Sequence, residues 1–154
     1  MVESVNTAPD TASRQAWMGL LAKAPEGLIG NYLNKIIPQP EFTFLRSPEI
    51  GSVMVRGKTS GTGTAFNLGE VTVTRCVLKL ASGEVGHAYV QGRRKLCAQA
   101  AALVDAMMQT EYADTVQSMV LEPLKTHAQQ RSQDRASKAA ATKVDFFTMA
   151  RGED

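Results

Sequence analysis

"EVTVTRCVLKL", residues 70–80, is the stretch on which the fold turns. It is rich in β-branched residues, Val71, Thr72, Val73, Thr74 and Val77, a composition that favours strand over helix. Neither face is purely apolar: Val71, Val73 and Val77 lie with Arg75 and Lys79, while Cys76, Leu78 and Leu80 lie with Thr72 and Thr74. A strand held between helices on one side and a partner surface on the other has this pattern. Outward from it, "LASGEVG" (80–86) is a hairpin turn into "GHAYVQG" (86–92). Upstream, "EFTFLRS" (41–47) and "GSVMVRGK" (51–58) share the β-rich composition. The expectation is a sheet of about four strands, antiparallel because the connections are too short for parallel crossovers.

Helices flank this sheet. "DTASRQAWMGLLAKA" (10–24) begins on Asp10, a favourable N-cap, and "EGLIGNYLNKII" (26–37) stops before Pro38. After the sheet, "RRKLCAQAAALVDAMMQTEY" (93–112) repeats Leu96, Ala100, Leu103 and Met107 at helical spacing. A further helix, "DTVQSMVLE", is expected to end before Pro123. Beyond it, "LKTHAQQRSQDRASKAAATK" (124–143) has high helix propensity but almost no large apolar residue, so it has little reason to pack on its own core. The fold class is therefore α+β: an N-terminal helical pair, an antiparallel sheet, and C-terminal helices ending in an arm. Residues 10–124 form the expected single domain, and 125–154 a helical arm with an apolar anchor.

Bulk properties narrow the function. The chain has 154 residues, of which 44% are apolar and 21% charged, an ordinary balance for one globular domain. Its net charge of +2 arises from 17 basic and 15 acidic side chains, too even to argue for nucleic acid or membrane. Glu3 and Asp10 near the start oppose a secretory signal. Cys76 and Cys97 have no CxxC or Cys/His company, so no metal site is expected. Two buried free thiols in the cytoplasm is the simple reading.

"RGKTSGTGTAF" (56–66) imitates a phosphate-gripping loop. A Walker loop needs four residues between its glycines and a helix after it. Here five residues separate Gly51 from Gly57, and the segment that follows reads as strand. The P-loop reading fails on both counts. What survives is a strand connection in which Gly61 and Gly63, free to take positive φ, either simply turn the chain or shape a concavity for an anion.

Arg75, on a valine-rich strand face, requires a carboxylate such as Glu70 or Asp105, a phosphate, or a partner surface. Arg93, at a strand-to-helix junction after Gly92, is the second basic candidate, with a solvated helix start as the alternative. His87 and His127 have neither triad nor metal-like neighbours and read as structural or exposed. Asp105, among apolar helix neighbours, reads as structural, positioning an arginine or bonding backbone. Lys125, Arg131, Arg135, Lys138 and Lys143 read as a solvated face, since no aromatic platform is interleaved for nucleic acid. No residue presents itself as a nucleophile or general base.

Several stretches together resemble one family: "RQAWM", "GTGTAFNLGEVTVTR", "YVQGRRKLCAQAAALVDAMMQ" and, most specifically, the terminal "VDFFTMARGED". The chain resembles the PhnG subunit family of the bacterial carbon–phosphorus lyase system, from about Arg14 to the C-terminus and in the same order. The resemblance implies a subunit of a cytoplasmic complex with PhnH, PhnI and PhnJ, and with the ATP-binding-cassette-type PhnK and PhnL. That complex takes part in making α-D-ribose 1-methylphosphonate 5-triphosphate from ATP and methylphosphonate with release of adenine. ATP is then a substrate of the complex, and this chain carries no cofactor of its own. Substrate contacts would come from Arg75, Arg93, Gly61 and Gly63, and partner contacts from Val144, Asp145, Phe146, Phe147, Met149 and Arg151. Two positions depart from the family: Arg94 stands where an Asp is common, and Gln99 where a Glu is common.

Overall fold

A computed structural model of the chain describes residues 10–143. The N-terminal pair is α1 (Thr11–Ala22) and α2 (Leu28–Leu33). Asp10 occupies the N-cap position of α1, but its side chain makes no capping hydrogen bond. The second helix is shorter than the sequence suggests. The Gln39 side-chain amide donates to the Leu33 carbonyl at 3.0 Å and satisfies the end of α2 well before Pro38.

The sheet has three strands, in the order β1 (Phe42–Lys58), β2 (Ala65–Leu80), β3 (Val85–Gln91), all antiparallel. The two upstream segments expected as separate strands are one strand of 17 residues. Register shifts between Phe44 and Arg46 and between Arg46 and Glu49 absorb the irregular Ser47-Pro48 step. As an edge strand, β1 tolerates the missing N–H of Pro48.

One face of β2 and β3 is covered by α3 (Lys95–Met107), whose inward surface is built on Ala98, Ala101, Ala102, Val104 and Met107. Leu96, expected in that stripe, is 82% exposed, because the buried face is centred on the alanines and not on the first leucine. Cys76, Leu78, Ala88 and Val90 supply the sheet side of the core, and Leu21, Ile29 and Leu33 close it from the N-terminal pair. Helix and sheet approach most closely at Gly86, where even a Cβ would overlap the Ala102 carbonyl and the Ala106 backbone. Burial pushes the Cys76 thiol up to about 11, so it stays protonated and a poor nucleophile at neutral pH.

The helical run expected to break before Pro123 continues through it. A short α4 (Ala113–Val116) passes into a π-helical turn (Gln117–Leu121) and then α5 (Glu122–Ala141). Pro123 lies in the first turn of α5, where the wider winding just before it removes the need for its N–H. Leu124 is the last buried residue of α5, and every residue from 125 to 143 is exposed. No helix among the described residues is long and apolar enough to cross a membrane.

Candidate functional site

The unusual feature of the sheet is its unequal strand length. β1 pairs with β2 from Phe42↔Leu80 out to Lys58↔Ala65, whereas β3 pairs only with residues 73–79 of β2. Beyond Val73 the two long strands therefore continue as a bare two-stranded ribbon. An isolated ribbon is marginally stable in water, and both of its edges offer unpaired backbone groups. Its surface includes large apolar groups among polar ones: Met54 is 50% and Leu68 67% exposed, with Val53 and Phe66 also open to solvent, beside exposed Arg56, Asn67 and Glu70.

The ribbon ends in the turn that the glycine motif occupies. The expected positive φ at Gly61 and Gly63 is not seen; Ser60 takes it instead, at 58°. Gly63 is required for space, since a Cβ there would overlap the Thr59 carbonyl, while Gly61 faces nothing within 4 Å. Gly57-Lys58 closes a strand, and no helix follows.

Arg75 lies at the root of the ribbon, on the face away from α3. Its partner is neither Glu70 nor Asp105 but Glu49, directly opposite on β1, with Nη2 2.8 Å from Oε1. Cross-strand pairing at non-sequential positions decides this, and the bulges of β1 set that register. Gly51 leaves the trough in which the guanidinium lies: a Cβ there would meet Nη2 at 3.1 Å. The Arg75 Nε is buried and has no hydrogen-bond partner among the described residues. Val73, which is buried, Val77, which is half-buried, and the exposed Tyr89 flank the ion pair, so apolar side chains line this face of the sheet next to the ribbon.

Arg93 is exposed at the β3–α3 junction. The turn is fixed by Gly92, at φ 87°, and by the Thr74 hydroxyl, which donates to the Gly92 carbonyl at 2.6 Å and accepts from the Arg94 N–H at 3.0 Å. Arg93 borders a cavity of about 580 Å³ with Ile50, Lys95, Leu96, Asn31 and Asn34. The structure does not bring it together with Arg75 in one ion-pair or cavity, nor with Gly61 and Gly63 at the ribbon tip.

Among the described residues Asp105 is the fully buried carboxylate. It accepts from Arg14 Nε (3.1 Å), Arg14 Nη2 (2.7 Å), Trp17 Nε1 (2.9 Å) and the His87 backbone N–H (2.9 Å). Arg14 and Gln109 also donate to the Val85 carbonyl. Asp105 thus ties α1 to α3 and occupies the free edge of β3, an edge that would otherwise invite pairing. Sequence reasoning gave Asp105 a structural role but named none of its partners. The side chains of His87 and His127 are exposed, and no cluster among the described residues has the makings of a metal site. The tail residues Val144, Asp145, Phe146, Phe147, Met149 and Arg151 lie outside the described residues.

Comparison with known proteins gives two findings. The family model "Phosphonate metabolism protein PhnG" matches residues 12–152. The curated "Alpha-D-ribose 1-methylphosphonate 5-triphosphate synthase subunit PhnG" of Rhizobium meliloti (strain 1021) is 40% identical over 156 aligned positions, covering 100% of each chain.

Proposed function

The chain belongs to the PhnG family, and from that premise we propose that it is a building subunit of a cytoplasmic complex that makes α-D-ribose 1-methylphosphonate 5-triphosphate. The reaction displaces adenine from ATP by methylphosphonate, a transfer at the ribose C1. Its partners are chains of the PhnH, PhnI and PhnJ types, with PhnK and PhnL joining at the periphery. Alone, the chain does not turn over.

The observation that carries this reading is the bare ribbon. A two-stranded extension with exposed Met54, Phe66 and Leu68 has no reason to persist unless another subunit covers it. Aromatic and Met side chains are also the types enriched in interface cores. Arg93, open at its cavity, is the residue that serves a phosphate or phosphonate group. Arg75 is already held by Glu49, which favours assembly over ligand contact at that position.

Co-expression with the candidate partners, followed by size-exclusion chromatography, tests the proposal. The native chain is expected to co-elute with them. The double variant Met54→Lys, Leu68→Lys, altered only at exposed sites, should lose about tenfold or more of the recovered partner while keeping its own unfolding midpoint. Full partner recovery by that variant removes the ribbon from the interface. Turnover of ATP with methylphosphonate by the isolated chain overturns the subunit reading itself.

A further inference from the structure

A second surface, whose bordering residues are separate from the ribbon's exposed ones, is distinguished by charge. Where α1 ends, Lys23 and Pro25 turn the chain past the β3–α3 junction, and α5 crosses the same corner as it leaves the core. Between them lies a groove of about 730 Å³ bordered by Lys23, Arg94, His127, Arg131 and Arg135. No Asp or Glu borders it, and none of these side chains forms an ion pair among the described residues.

The arrangement is built, not incidental. Arg94 is anchored by two backbone carbonyls, Gln91 at 3.0 Å from Nε and Ala24 at 2.8 Å from Nη1, which leaves Nη2 without a hydrogen bond among the described residues. His127, Arg131 and Arg135 follow one another at i, i+4 and i+8, so α5 presents them on one face. Like charges at the Arg131–Arg135 spacing destabilise a helix on its own, and here Lys23 and Arg94 border the same groove. A multivalent anion relieves this repulsion.

We propose that this groove is an oligophosphate-binding site. Guanidinium groups, which Arg94, Arg131 and Arg135 supply from two separate elements, match phosphate oxygens in pairs. The apolar lining is confined to Ala22, Ala24 and Pro25, too small to anchor a peptide side chain, and no aromatic ring offers a base a stacking surface. The site goes beyond the subunit role and does not depend on it. It includes Arg131 and Arg135, which the sequence presents only as part of a solvated face, and it uses Arg94, where the resembling family commonly has Asp.

Titration calorimetry of the full-length chain with inorganic tripolyphosphate, at low ionic strength, tests it. Binding is expected, and the double variant Arg131→Gln, Arg135→Gln should weaken it at least about tenfold. Arg94→Gln, on a different element, should weaken it as well. The double variant Lys125→Gln, Lys138→Gln removes the same charge from exposed positions of α5 that do not border the groove, and should change affinity by less than about twofold. No binding by the native chain overturns the site. Equal weakening by the two double variants, or none by Arg94→Gln, reduces it to diffuse charge and overturns it too. Tighter binding of a hexa-aspartate peptide than of tripolyphosphate overturns the ligand class.

Discussion

Replacing Asp105 with Ala should lower stability by about 3–5 kcal/mol, the range for breaking a buried charge pair from one side. The change strands the Arg14 guanidinium and the Trp17 N–H beside the core and releases the His87 N–H at the edge of β3. Each stranded donor then bears its own desolvation penalty. Asp105→Asn keeps an acceptor but turns an amide N–H₂ toward donors, so it should fall between Ala and the native residue. Urea unfolding followed by tryptophan fluorescence reads both, because Trp17 reports on this site. A loss under about 1 kcal/mol for the Ala variant would show that the network is dispensable.

Gly86→Ala should be comparably damaging, at about 3 kcal/mol, the upper part of the range for overpacking a core. The added methyl meets the Ala102 carbonyl and the Ala106 N at 2.8 Å, both backbone atoms of α3 that no rotamer change can move. Either α3 retreats from the sheet or β3 bends, and both loosen contacts of Leu78 and Val104. Ala106→Gly in the same chain should recover little, since it clears only a Cβ and leaves the backbone contacts in place. Thermal unfolding of the single and double variants measures this. A native-like midpoint for Gly86→Ala would mean that helix and sheet do not approach as closely as described.

Much of the fold was legible from local pattern, and the reasons for the misses are specific. The β-branched run at 70–80, the hairpin at Gly83 and the alanine-rich helix each follow from short-range chemistry, and each is present. The division of β1 into two strands failed because Pro48 and Gly51 look like turn residues, and only their position on a bulged edge makes them compatible with a strand. The Pro123 break failed for a similar reason, as the π-helical turn that accommodates it has no signature of its own. Partner choice was hardest to read. Glu49 and Arg75 meet across a ladder whose register depends on those bulges, and Arg14, Trp17 and Asp105 meet only once α1 has docked on α3. Lys23, Arg94 and Arg131 likewise come from separate elements, so the basic groove exists only in three dimensions. The ribbon was half visible: mixed faces on residues 70–80 indicated that one side of β2 is not core, but not that β3 would pair with β2 only as far as Val73.

The central claim is that the ribbon is an interface completed by other subunits. Amide hydrogen exchange across residues 52–72, compared between the isolated chain and the assembled complex, tests it most directly. In the isolated chain these amides should exchange fast, because neither face of the ribbon is covered and its free edges are open to water. In the complex they should slow by about a hundredfold or more, while amides of α3 change little. Equal, rapid exchange of the ribbon in both states would contradict the claim.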